Sequence, residues 1–177
     1  SVEADMKDES FWLEDWLMFE QLKIKFDGKP WHEWPPEYRN RDPAALAEIA
    51  TDSSEQARFM GRWNEVREYA KSKNISLIGD LPIFVAHDSA DVWAHRDLFL
   101  LNDKGMPDVV AGVPPDYFSK KGQKWGTVLY DWDAHRKQNW RWWKERMGRM
   151  MRLFDIVRID HFRGLHSAWA IPVKHKT

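Results

Sequence analysis

Phe154-Asp155-Ile156-Val157-Arg158-Ile159-Asp160-His161-Phe162-Arg163-Gly164 sets charged side chains inside a short apolar run. Ile156, Val157 and Ile159 are strand formers, and the residues before them have helical spacing. The stretch therefore predicts a strand that closes a strand–helix–strand unit. Side chains alternate along a strand, so Arg158 and Asp160 share one face while Val157 and Ile159 share the other. At the C-terminal end of a parallel strand, where α/β folds gather their chemistry, an arginine beside an aspartate is costly to desolvate unless paired. Two readings follow: a structural ion pair capping the sheet, or a nucleophilic Asp160 kept ionised by Arg158.

Working outward, Ile75 to Ala86 reads as a second strand. Pro82 cannot donate to a ladder, so regular pairing is predicted to stop near Asp80, which then sits at a strand end as Asp160 does. The excursion from His87 to Asp133 predicts a hairpin over Phe99 to Ala111, turning at Asn102-Asp103-Lys104-Gly105, and a stiffened, exposed loop at Gly112 to Phe118. One helix is predicted over residues 134–154, with Trp140, Trp143, Met147, Met150 and Phe154 on its apolar stripe. Its other face, with Arg136, Arg141, Lys144, Arg149 and Arg152, reads as solvated. Parallel strands joined this way place the excursion over their C-terminal ends, where it builds a binding wall. Leu165 to Val173 is a further apolar segment.

Upstream, Ser1 to Glu9 reads as an acidic, frayed end. Ser10 is positioned to cap a helix carrying Leu13, Trp16, Leu17 and Phe19, which ends at Gly28. Lys29 to Pro43 is a loop pinned by Trp31 and Trp34. Asp42-Pro43 opens a short helix over Ala44 to Ala50. A longer helix spans Ser53 to Lys73, with Phe59, Trp63, Val66 and Ala70 as its stripe, and Asn74 ends it.

The chain has 177 residues, enough for one domain, and a net charge of -1, which argues against a nucleic-acid partner. It has no cysteine, so disulfides and thiolate metal sites are excluded and a reducing, cytoplasmic setting is allowed. No apolar run reaches the roughly 18 residues of a membrane span. Tryptophan is the compositional outlier at 12 residues, serving equally as core filler and as a platform for sugar rings.

The acidic candidates are Asp80, Asp88, Asp91, Asp116 and Asp160. Cleaving a glycosidic bond takes one ionised carboxylate at the anomeric carbon and one protonated carboxyl at the leaving oxygen. Asp160 beside Arg158 suits the first role; no residue here matches the second. Asp88-Ser89 and Asp91 also read as local helix capping. His87, Asp88 and His95, or His161 and His166, match no metal-ligand spacing, and no cofactor is expected. There is no glycine-rich phosphate loop and no nucleophile elbow.

Several strings together resemble the 4-α-glucanotransferases, the amylomaltase or disproportionating-enzyme family of α-amylase-like glycoside hydrolases. They are Trp12-Leu13-Glu14-Asp15, Gly28-Lys29-Pro30-Trp31, the run from Gly79 to Trp93, the run from Val109 to Ser119, Gly122-Gln123-Lys124-Trp125-Gly126, and Val157 to Gly164. They cover nearly the whole chain. The resemblance implies part of a (β/α)8 barrel with a long insertion after its third strand, Asp80 ending the third strand and Asp160 the fourth. It implies that Asp160 is the nucleophile forming a covalent glycosyl-enzyme and that Arg158 positions it. Asp80 and His161 would bind sugar in the same subsite. Asp116, Tyr117 and Phe118, followed by Gln123 and Trp125, would form a glucan-binding loop over the cleft. The implied reaction moves a segment of an α-1,4-glucan to a new 4-hydroxyl.

A complete barrel takes about 250 residues. The chain thus reads as an internal fragment of the catalytic barrel, with a helical part over 10–73 and the strands, insertion and helix over 75–164. It carries one catalytic carboxylate without its acid/base partner, and is expected to be inactive alone and prone to self-association. Two departures from the family stand out: a shorter aromatic helix around Phe59 to Trp63, and Thr127-Val128-Leu129 where the family usually has a proline within the few residues after Gly126. The alternatives are a non-catalytic α-glucan-binding module using Tyr117, Phe118 and Trp125, and an amylase-type hydrolase.

Overall fold

The computed structural model describes residues 9–175. Its α-helices are α1 (Leu13–Lys25), α2 (Pro36–Arg39), α3 (Pro43–Ala47), α4 (Ser54–Ser72), α5 (Ala90–Ala94), α6 (Trp132–Lys137) and α7 (Arg141–Leu153). Its strands are β1 (Ile78–Pro82), β2 (Val109–Val113), β3 (Gln123–Lys124), β4 (Ile156–Asp160) and β5 (Trp169–Pro172). The architecture is mixed α/β. β1 and β4 pair in parallel, and β3, β2 and β5 form an antiparallel sheet; no closed barrel is present among the described residues.

The strand–helix–strand unit is present as β1, α7 and β4, in the register Asp80 to Arg158 and Pro82 to Asp160. Pairing thus continues two residues past Asp80. The lost proline donor removes one bond without ending the ladder, because the carbonyls still accept. Gly79 lets the strand approach its neighbours: a Cβ there would lie 2.2 Å from the Phe154 ring.

The core is aromatic. Phe19 and Leu22 of α1 pack with Trp31, Trp34, Trp93, Phe99, Tyr130 and Trp142, so the loop after α1 is pinned where Trp31 and Trp34 predicted. Gly28 closes α1 at φ +74, its N–H donating to the Lys23 carbonyl at 2.7 Å. Asp42 caps α3, accepting from the Ala44 and Ala45 amides at 2.9 and 3.2 Å. That helix ends at Ala47, three residues earlier than expected.

Other expectations are corrected. Ser10 caps nothing: the Trp12 and Leu13 amides donate instead to the Glu9 carbonyl. Of the end expected to fray, residues 1–8 lie outside the described residues, but Glu9 is only 3 % exposed. Its carboxylate is held by Arg149, Arg152 and the Trp12 indole N–H, so Arg149 is not solvated. The predicted helix over 134–154 is two helices. Asn139 and Trp140 adopt φ +55 and +59, and the corner lets His135 of α6 and Trp142 of α7 both pack on Tyr130. In α4 the stripe is half open, Phe59 and Val66 being exposed and Ala70 buried. The turn at Asn102 to Gly105 forms, but its arms part: Leu100 donates to Leu129, while β2 pairs with β3 and β5. The departure at Thr127 is accommodated by backbone bonds, Ala111 N–H to the Thr127 carbonyl at 2.8 Å and Val128 N–H to the Val85 carbonyl at 3.2 Å.

Candidate active site

Alternation along β1 and β4, with their register, puts Asp80, Arg158 and Asp160 on one face. The Arg158 guanidinium donates from Nε to Asp80 Oδ1 at 2.9 Å and from Nη2 to Asp80 Oδ2 at 2.6 Å. The same Nη2 reaches Asp160 Oδ1 at 3.2 Å. The two-pronged grip is therefore on Asp80, and Asp160 receives a single longer bond. Hydrogen bonding from Arg158 holds the Asp80 carboxyl below the usual aspartate range, and Asp80 raises Arg158 in return. The three side chains are open rather than buried, at 55 %, 62 % and 57 % exposure for Asp80, Arg158 and Asp160. The desolvation cost expected from sequence is small here, and the pairing is correspondingly weak.

Beyond Asp160 the chain turns sharply, with His161 at φ +53. The His161 ring meets Trp125 edge-on, centroids 4.9 Å apart, and both lie against the buried Phe84 at 6.4 and 6.3 Å. The Trp125 indole N–H donates to Gln123 Oε1 at 3.0 Å. A groove of about 280 Å³ runs beside this ridge, lined by His161, Arg163, Ser167 and Trp169 among others.

The loop residues stand apart from this group. Tyr117 and Phe118 are 97 % and 89 % exposed and meet edge-to-face at 5.8 Å. Asp116 does local work, its Oδ1 accepting from the Phe118 and Ser119 amides at 2.9 and 2.8 Å. The structure thus brings together Asp80, Arg158, Asp160, His161, Gln123 and Trp125. It leaves Asp116, Tyr117 and Phe118 on a solvent-facing turn.

The remaining acids have other duties. Asp88 does not cap α5: Ser89 does, while Asp88 accepts from the Trp31 amide at 3.1 Å and from Lys23 Nζ at 2.6 Å. Burial pushes the Asp91 carboxyl up. Asp91 lines a cavity of about 190 Å³ with Trp16, Trp142 and Arg146, and none of Asp80, Arg158 and Asp160 borders it. Sequence reasoning missed Glu9, Tyr130 and Arg146; no short-range pattern marks them. Among the described residues, no three His, Asp or Glu side chains converge on a metal position.

A family model described as 4-alpha-glucanotransferase, of glycoside hydrolase family 77, matches residues 2–177. The chain belongs to the 4-α-glucanotransferase family. Relatives in that family include the Solanum tuberosum chloroplastic/amyloplastic 4-alpha-glucanotransferase, 43 % identical over 99 % of this chain and 34 % of its own length. The Thermus thermophilus 4-alpha-glucanotransferase is 44 % identical over 96 % of this chain and 35 % of its own. An amylomaltase from Streptococcus agalactiae, solved with acarbose, superposes with TM-score 0.86 at 36 % identity, covering 98 % of this chain and 37 % of that one. The chain spans about a third of the length of these glucanotransferases.

Proposed function

We propose that this chain is the part of a 4-α-glucanotransferase that supplies the nucleophile and one wall of the glucan cleft, within a (β/α)8 barrel. The carrying observation is the group Asp80–Arg158–Asp160 on one face of two paired parallel strands. In this reading an Asp160 oxygen attacks the anomeric carbon of an α-1,4-glucan and displaces the 4-oxygen of the leaving chain, which takes a proton from a general acid. A glucan 4-hydroxyl, giving its proton to that same group now acting as base, then attacks the anomeric carbon from the opposite side, the bond to Asp160 breaks to release its carboxylate, and the anomeric configuration is retained. Arg158 fixes Asp80 so that its free lone pairs meet sugar hydroxyls, and His161 contributes at the same subsite. Trp125, held by Gln123, offers a ring face to a neighbouring sugar. Tyr117 and Phe118, with Asp116 shaping their turn, close over the chain and exclude water.

Among the described residues, the carboxyl raised by burial is Asp91, away from Asp160. In this reading the chain binds glucan and, with no general acid beside Asp160, does not transfer it unaided. Calorimetric titration with maltoheptaose tests the binding: the chain gives saturable heat, Trp125→Ala weakens it, and a flat titration would remove the proposal. Glucose and maltopentaose formed from maltotriose at constant reducing ends would overturn the expected inactivity. New reducing ends would favour an amylase-type hydrolase. Exposed Ile78 and Ile156, on a sheet of only two strands, support self-association, which sedimentation at several concentrations reads directly. No described helix is long and apolar enough to cross a membrane. A cytoplasmic setting is proposed, with a plastid as the alternative that the potato relative's name suggests.

A further inference from the structure

β1 stops at Pro82, opposite Asp160, and its last carbonyls are taken up by side chains rather than by a further strand. Arg146 of α7 donates from Nη2 to the Pro82 carbonyl at 2.6 Å, and its Nη1 reaches the Tyr130 hydroxyl at 3.3 Å. The Tyr130 hydroxyl donates in turn to the Ile83 carbonyl at 2.6 Å, and Arg146 Nη1 approaches that carbonyl at 3.5 Å. Both partners are rigidly mounted. The guanidinium lies over Trp142 and Trp143 at 5.1 and 5.2 Å, and Tyr130 is buried against Phe84, Phe99 and Trp142. The pinned segment is short, with Asp80 two residues before Pro82 and Phe84, the base of the Trp125–His161 ridge, two residues after it.

A planar fork on two successive carbonyls fixes direction as well as position, which a single ammonium does not. Without it, the Pro82 carbonyl at the exit of β1 loses its guanidinium partner, and the Asp80 carboxylate two residues before it is freer to drift from Arg158. We propose that Arg146 is a positioning residue for the candidate active site: through the Pro82 and Ile83 carbonyls and Tyr130 it sets where Asp80 stands relative to Arg158 and Asp160. The inference rests on the glucanotransferase reading for its purpose, but not for its test.

The test follows the Asp80 side-chain carboxyl by carbon-13 NMR across acid pH in this chain, alongside thermal melts. Arg146→Met is expected to raise the Asp80 midpoint toward the ordinary aspartate value, and Arg146→Lys to recover part of that shift. Leu46→Ala, a core change elsewhere, lowers the melting temperature and leaves the Asp80 midpoint in place. Should Arg146→Met fail to fold, Tyr130→Phe is expected to shift Asp80 in the same direction by less. An Asp80 midpoint unchanged in the folded Arg146 variant, or in Tyr130→Phe if that variant must substitute, overturns the proposal, as does an equal shift in Leu46→Ala. Absence of glucan binding by the parent chain would remove the glucanotransferase reading while leaving this result standing.

Discussion

Arg158 grips Asp80 with two nitrogens, at 2.9 and 2.6 Å, and touches Asp160 with one at 3.2 Å. One guanidinium therefore spaces two carboxylates on the same face of adjacent parallel strands, Asp160 at the end of β4 and Asp80 two residues before the end of β1. Because the folded Asp80 carboxyl titrates below its ordinary value of 3.8, the pairing is fully present above that pH and is lost as pH falls through the lowered value. Arg158→Gln is expected to return the Asp80 midpoint to about 3.8, read by carbon-13 titration. An Asp80 midpoint indifferent to that substitution would mean that the fork does not persist in solution.

The aromatic core makes a separate claim. Leu22 is wholly buried at 0 % exposure, in one cluster with Phe19, Trp34 and Trp93. Leu22→Ala should cost about 2–5 kcal/mol, the range for a buried leucine that leaves a cavity. Urea unfolding followed by tryptophan fluorescence measures it. A loss under about 1 kcal/mol would show that the loop carrying Trp31 and Trp34 collapses into the space.

Two histidines predict the acid side of the stability curve. Burial lowers both His87 and His135 below the ordinary 6.5. The unfolded chain then binds protons that the folded chain refuses, so stability falls as pH drops from 6.5 toward the lowered values. His135, packed against Tyr130, Trp132 and Trp142, is the more enclosed of the two. His135→Gln should lower stability at neutral pH and flatten the pH slope, as urea midpoints at several pH values would reveal. An unaltered slope would assign the dependence to His87 or to another group.

The Trp125 ridge predicts a binding effect. Trp125 is held by Gln123 and flanked by His161 and Phe84, so its ring is oriented before any ligand arrives. Trp125→Ala is expected to weaken maltoheptaose binding by about tenfold, the upper end of what one aromatic contact supplies. Gln123→Ala should weaken it less, by loosening the ring. Equal affinity in both variants and the parent would place the glucan elsewhere.

Much of this was readable from residue order because it depends on local rules. The alternation around Arg158 and Asp160 needed only the strand period. Gly28 and Asp42-Pro43 marked helix ends by their own backbone chemistry, and Trp31 and Trp34 were too apolar for a free loop. What escaped depends on distant partners. The break at Asn139-Trp140 leaves the helical period almost intact, and only the packing of His135 and Trp142 on Tyr130 reveals it. Glu9 looks like tail until Arg149 and Arg152 are found opposite. Arg146 looks like one more solvated cation until the Pro82 carbonyl, 64 residues away, is in its grasp. Asp116 carried an acid's promise in the sequence and does a turn's work in the fold.

The central claim is that Asp160 is the glycosyl-accepting nucleophile. α-Maltotriosyl fluoride tests it most directly, because fluoride departs without taking a proton from a general acid. Peptide mass mapping of the treated chain should find a maltotriosyl ester on Asp160, absent in Asp160→Asn and diminished in Trp125→Ala. An unmodified Asp160 at saturating fluoride, or an ester on another carboxylate, would contradict the account.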